Sequence, residues 1–407
     1  MTKVSSPKEV RGIALLFSAA YMVSYIARIN FGAVISEMEK ATGFSKSLLS
    51  MAVTGSFFTY GVGQLVSGIL GDKVSPKKLV SCGFIITILM NLLIPVCQDH
   101  IQMLAVWSVN GFAQSMMWPP IVKLMASLLS SEDYKKSMTK VSWGSSVGTI
   151  LVYALSPLLI TMLGWKSVFY FGAICGLLIL LVWHKCSPDV GISPRAAVEK
   201  TTKARMFSPA LLGVLGAILM MGILKDSVTT WMPSYVAETY GISNLISILT
   251  GVVLPIFAIF SVQAATVLYS KRFKNPVPCA AVFFGLGVLS AGVLWISTGK
   301  SAAVSVGCAA TLTACMHGVN MMLISMLPPF FAKYGKVSTA SGILNAGTYA
   351  GSAFSTYAVA LFADKWGWGF NLKFWFGTAL AGMILCVLSA GGVRKKYIEQ
   401  ENIQPDP

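Results

Sequence analysis

Residues 68–78 read Gly68-Ile69-Leu70-Gly71-Asp72-Lys73-Val74-Ser75-Pro76-Lys77-Lys78, and this charged stretch interrupts two long apolar runs. Upstream lies a run over 47–71 and downstream one over 78–97. At about 1.5 Å per residue, runs of this length cross a hydrocarbon core of about 30 Å as helices. The same alternation continues in both directions. Cutting where charges, Pro and Gly fall gives twelve expected helices, at 12–37, 47–71, 78–97, 101–126, 136–161, 166–185, 207–236, 244–269, 276–297, 302–333, 337–364 and 370–392.

Composition agrees with this reading. Hydrophobic residues make up 55% of the 407, and Asp, Glu, Lys and Arg only 11%, against about 25% in a soluble domain. An ordinary soluble globule is excluded. The net charge of +16 would suggest nucleic acid in a soluble protein, but here the basic residues sit in loops beside apolar runs. Of the 31 Lys and Arg, 23 fall on the side of both termini and of every second loop, six on the other, and two inside helices. Lys and Arg mark the cytoplasmic side, so both termini are expected there. No nucleic-acid partner is expected. The polar first ten residues lead straight into a long span, without a secretory h-region and cleavage site, so no cleaved segment is expected. The eight cysteines stand singly without metal-ligand spacing. They read as small buried hydrophobes, with no metal and no cofactor.

The longest polar stretch, 186–206, separates six expected helices from six: an N-terminal half at 1–185 and a C-terminal half at 207–407 with a short tail. This describes an all-α membrane protein with twelve transmembrane helices in two six-helix halves, which resembles the architecture of the major facilitator superfamily; a twelve-helix flippase or a receptor shares the count. The opening stretch resembles that superfamily's acidic-basic loop between helices 2 and 3. The resemblance implies that Gly68, Asp72, Lys73 and Lys77 form a cytoplasmic gating motif, with Asp72 capping or pairing across the two halves. A solvated basic turn is the plainer reading.

Ionisable groups inside a bilayer are costly and call for a pairing or a function. Arg28 in helix 1, and Lys225 and Asp226 in helix 7, are three such groups. Arg28 and Lys225 sit at similar depths on equivalent helices, so the expectation is an anion site between two facing cations without acidic partners. Neighbours in a helix point about 100° apart, which leaves Asp226 either a coupling group or paired elsewhere. The competing reading has Lys225 and Asp226 satisfied by adjacent helices and binding nothing.

Polar side chains at helical spacing surround these charges. Tyr21, Tyr25 and Arg28 share a face of helix 1, Tyr60 and Gln64 of helix 2, His317 and Asn320 of helix 10, and Asn345 and Tyr349 of helix 11. Such groups bond phosphate or sugar oxygens, or serve as glue between helices. Gly347 and Gly351, spaced GxxxG, read first as packing positions.

Three segments make the resemblance more specific: Tyr25-Ile26-Ala27-Arg28-Ile29-Asn30-Phe31, Asn110-Gly111-Phe112-Ala113-Gln114-Ser115-Met116-Met117-Trp118-Pro119-Pro120, and Trp231-Met232-Pro233-Ser234-Tyr235. With Ser187-Pro188-Asp189-Val190-Gly191, they resemble the organophosphate:phosphate antiporter family, which includes glycerol-3-phosphate, hexose-6-phosphate and glucose-6-phosphate carriers. The resemblance implies exchange of a phosphorylated metabolite for inorganic phosphate by rocker-switch alternating access. It makes Arg28 the helix 1 phosphate-holding arginine, puts Lys225 at the position of the helix 7 arginine, and makes Tyr21, Tyr25, Tyr60, Trp118 and Tyr349 cavity aromatics. His317 stands for a cavity tyrosine, Gln64 for a lysine and Ser145 for a histidine. Lysine lacks arginine's planar fork, and Gln64 for a lysine and Ser145 for a histidine lower the positive potential of the cavity. A proton- or sodium-coupled carboxylate symporter therefore stays open, as does a transporter-like sugar-phosphate sensor. Enzyme motifs are missing. A monomer in the bacterial inner (plasma) membrane is expected, with the lipid bilayer and a small anion as partners.

Overall fold

The structure, a computed structural model, describes residues 4, 6–44, 46–188, 208–242 and 253–399. Among these the chain is helical and contains no strand. The helices are α1 (Pro7–Thr42), α2 (Lys46–Lys73), α3 (Pro76–Leu93), α4 (His100–Gln114), α5 (Trp118–Leu128), α6 (Ser131–Leu163), α7 (Lys166–Cys186), α8 (Pro209–Tyr240), α9 (Val253–Arg272), α10 (Pro276–Ser297), α11 (Ala302–Asn320) and α12 (Val337–Val393).

Polar residues and prolines in the loops set the starts. Asp99 accepts the Gln102 N–H at 2.8 Å to cap α4, and Ser130 accepts the Asp133 N–H at 3.1 Å to cap α6. Pro7, Pro76, Pro209 and Pro276 stand in first turns, where a missing N–H costs nothing. The beginning expected for helix 8 and most of the 186–206 loop lie outside the described residues.

Prolines also explain two departures from the expected helices. The run expected to be continuous over 101–126 breaks after Gln114 and restarts at Trp118, because Pro119 and Pro120 fit only in a first turn. The run expected over 302–333 leaves α-geometry after Asn320, widens to a π-helix over Met321–Met326, and tightens to a 3-10 helix over Pro328–Tyr334. The last two expected helices are both present and together make up α12. Their separation is a single residue, Gly367, at φ 74° and ψ 173°, a conformation that side chains with a Cβ rarely adopt.

Eight stretches among the described residues are long and apolar enough to cross a membrane. The others, including α2 and α6, are helical where expected but richer in Gly, Ser and Thr. Large apolar side chains such as Ile296 and Leu388 face outward, as a lipid-facing surface requires. That surface also accounts for the cysteines. Cys279, Cys315 and Cys386 are buried as expected, but Cys82 and Cys186 are exposed, since in a membrane protein an apolar residue can face out as well as in.

The chain forms two compact units, Met1–Glu199 with Ala332–Ala346, and Lys200–Phe331 with Gly347–Pro407. The first turns of α12 thus pack with the N-terminal helices. In the first unit, Phe31, Trp107 and Phe169 stack with ring centroids 5.2 to 5.8 Å apart at the centre of an apolar core.

Candidate functional site

In the first unit, α1 carries a buried guanidinium in an aromatic setting. Arg28 lies over the Tyr25 ring at 4.1 Å and the Tyr60 ring at 4.8 Å, both within reach of a cation–π attraction. Tyr25 packs edge-on against Tyr21 at 5.1 Å, and Tyr21 meets Trp118 at 4.7 Å. Five of the residues expected at the site therefore form one continuous cluster. Among the described residues, the buried indole N–H of Trp118 has no hydrogen-bond acceptor, which makes it a donor for a ligand oxygen.

The backbone beneath Arg28 is fixed by a buried amide network. The Ala27 carbonyl accepts from Asn91 and from Asn110, each at 3.1 Å. Asn30 donates to Asn91 at 2.8 Å, and Gln114 to Thr87 at 3.3 Å. Asn110 and Gln114 of the helix 4 run thus tie α4 to α1 and α3. Asn30 entered the sequence reading only within the Tyr25–Phe31 segment, and Thr87 and Asn91 not at all, although Thr87 and Asn91, four apart in an apolar run, could have signalled a shared polar face.

Two expected residues lie apart from the aromatic contacts. Gln64 is fully buried and reaches the Ser115 carbonyl at 3.4 Å, beside Ser67, which donates to the same oxygen at 2.7 Å. It serves the break between α4 and α5. The Ser145 hydroxyl donates to Ser142 O of its own helix at 2.7 Å.

The 68–78 stretch has a defined geometry. Asp72 accepts from the backbone of Ser338 at 3.1 Å and of Thr339 at 2.8 Å, and from the Thr339 hydroxyl at 2.5 Å. It caps α12. Lys123 donates to Gly71 O at 2.7 Å and lies 3.9 Å from Asp72. A Cβ on Gly342 would sit 2.3 Å from Gln64 O, and one on Gly68 2.9 Å from Ser338 O. Glycine at both positions lets α2 and α12 touch backbone to backbone. Lys77 donates to Ser187 O at 2.8 Å, and Lys73 is exposed at the end of α2.

The second unit holds the other membrane charges. Lys225 Nζ lies 3.5 Å from Asp226 Oδ1, and Ser352 of α12 donates to the other Asp226 oxygen. This corrects the expectation of a lysine without an acidic partner. The Cβ directions do diverge, but the four-carbon lysine stem swings back far enough to pair. His317 of α11 is close enough to feel both charges. Asn320 ends α11 half-buried, Tyr349 is half-buried on α12, and Asn345 is buried in the part of α12 that packs with the first unit. Ser352 was missed, though it falls on the Asn345–Tyr349 face at i+7. Its position depends on a tight crossing. A Cβ at Gly222 would sit 2.2 Å from Thr348 O, and one at Gly351 2.3 Å from Leu219 O. Gly347 is looser, with Ile218 at 3.4 Å.

The described residues form an all-helical fold with long apolar stretches and buried charged and amide side chains. Residues 17–356 match the family model of the Major Facilitator Superfamily, and the chain belongs to that family. It is a multi-pass membrane transporter and not an enzyme. It is 23% identical over 381 residues to a probable hexose phosphate transport protein of Chlamydia muridarum, covering 86% of this chain and 84% of that one. It is also 23% identical over 399 residues to the glycerol-3-phosphate transporter of Bacillus subtilis, covering 91% and 89%. A solved proton:xylose symporter shares the fold, with a TM-score of 0.76 over 97% of each chain at 12% identity.

Proposed function

We propose that this transporter exchanges a phosphorylated metabolite, a sugar phosphate or glycerol phosphate, for inorganic phosphate by rocker-switch alternating access. It works as a monomer in the bacterial inner membrane, with both termini cytoplasmic. The observation that carries this reading is the buried Arg28 guanidinium, aligned with Tyr25 and Tyr60. A planar fork can hold two phosphate oxygens at once, and the hydroxyls of Tyr21 and Tyr25 and the indole N–H of Trp118 supply further donors. The likeness to hexose phosphate and glycerol-3-phosphate transporters over more than four fifths of the chain points to the same substrate chemistry. In this reading Asp72, as the cap of α12, is a contact that forms and breaks during the cycle.

One observation favours a second reading. Asp226 places a carboxylate inside the membrane beside Lys225 and Ser352, the kind of group a proton- or sodium-coupled carboxylate symporter titrates or uses to bind its ion. Proteoliposomes separate the two. Vesicles loaded with inorganic phosphate should take up labelled phosphate or glycerol 3-phosphate without any ion gradient, while empty vesicles take up little. If loaded and empty vesicles behave alike while an imposed proton or sodium gradient drives uptake, the exchange reading fails and the symport reading stands.

A further inference from the structure

We infer that Asp226 is a built-in counter-anion for Lys225, which the transported anion must displace; this rests on the anion-carrier reading above. The geometry is that of a weak, replaceable partner. At 3.5 Å the Lys225–Asp226 pair is longer than the 2.7 to 2.9 Å of a good charge-assisted hydrogen bond. The two residues are adjacent on one helix, and directions about 100° apart keep the carboxylate from closing squarely on the ammonium.

Asp226 is also restrained from outside its helix. Ser352 donates to the oxygen that does not face Lys225. Ser352 is itself fixed by the crossing of α8 and α12, in which Gly222 lies against Thr348 and Gly351 against Leu219, backbone to backbone. Among the described residues, His317 on α11 is a titratable group near enough to feel both charges. Lys225 is therefore neutralised by a partner at long range, and neither side chain is fully enclosed: that of Lys225 is 17% exposed and that of Asp226 34%. An incoming phosphate or carboxylate oxygen at hydrogen-bond distance replaces the aspartate as the nearer partner, and the aspartate stays on Ser352. With no substrate bound, Lys225 is not a bare cation. The second unit then carries no uncompensated charge from this pair.

The test is a binding cycle with inorganic phosphate, titrated calorimetrically into the purified full-length protein, with acetate as a monocarboxylate control. Asp226→Asn keeps the shape and the acceptor for Ser352 but removes the competing charge, so phosphate should bind about fivefold tighter, the range of a partly exposed ion pair. In a Lys225→Gln background the same change should have no effect. Ser352→Ala frees the carboxylate to close on Lys225 and should weaken binding, whereas the tightening expected of Asp226→Asn is a direction that general loss of structure would not produce. The inference is overturned if Asp226→Asn binds phosphate no tighter, if the gain persists without Lys225, or if Ser352→Ala tightens binding. Failure of the wild type to bind either anion would overturn the anion-carrier reading and this inference together. Normal wild-type binding with an unresponsive Asp226→Asn would overturn the inference alone.

Discussion

Asp72 and Thr339, 267 residues apart, are joined by a 2.8 Å bond to the Thr339 backbone N–H and a 2.5 Å bond to its hydroxyl. A carboxylate at a helix N-terminus satisfies donors that the helix leaves open and meets the positive end of its dipole. Asp72→Ala should therefore destabilise the protein by about 1 to 2 kcal/mol, read as a lower melting temperature in detergent. Thr339→Val, which keeps the backbone bonds, should cost less. Equal effects would show that the hydroxyl, not the cap, is what matters.

The two glycines of α12 should respond differently. A Cβ at Gly351 meets the Leu219 carbonyl at 2.3 Å, whereas at Gly347 the nearest atom is a side-chain carbon at 3.4 Å. Gly351→Ala must push α8 and α12 apart and displace Ser352, so it should lower both melting temperature and transport. Gly347→Ala should be neutral or stabilising by up to about 1 kcal/mol, because alanine favours helix over glycine. A tolerated Gly351→Ala would mean that the crossing is not tight in the membrane.

Much of this was legible in the sequence because a bilayer leaves few choices. Apolar length fixes helices, and isolated charges stand out. Arg28 was found that way, Tyr25 and Tyr60 by their helical spacing and by the family resemblance, and the structure brings them together. The breaks were less legible, since Pro119 and Pro328 lie within apolar runs and hydropathy does not register a missing N–H. Pairing was the least legible. The direction of adjacent side chains on a helix suggested that Lys225 and Asp226 part, and only the reach of the lysine stem, together with Ser352 arriving from another helix, determines that they pair. The tie of Asn91 and Asn110 to one carbonyl, Ala27 O, likewise depends on which helices become neighbours.

Topology is tested by labelling. In a background freed of all eight native cysteines, which include the exposed Cys82 and Cys186, single cysteines replace Lys78 and Lys300. Both positions are exposed, whereas Lys77 is engaged with Ser187. An impermeant thiol reagent should reach the first from the cytoplasmic side and the second from outside. Labelling of both from one side would contradict the orientation assigned from Lys and Arg.

Arg28 should tolerate no replacement. Its guanidinium is buried and lies over two tyrosine rings, a setting in which a planar, weakly hydrated cation is favoured over a compact ammonium. Arg28→Ala removes the charge, and Arg28→Lys keeps the charge but loses the fork that would hold two anion oxygens. Both should reduce transport by at least about tenfold, the loss of one charge-assisted bond, while membrane insertion and yield stay near wild type. Lys225→Arg should move the other way and keep or tighten phosphate binding, because it adds a fork where a point charge now stands. Transport above half the wild-type rate in Arg28→Ala vesicles would remove Arg28 from the anion site, and the aromatic cluster around it would then be read as packing.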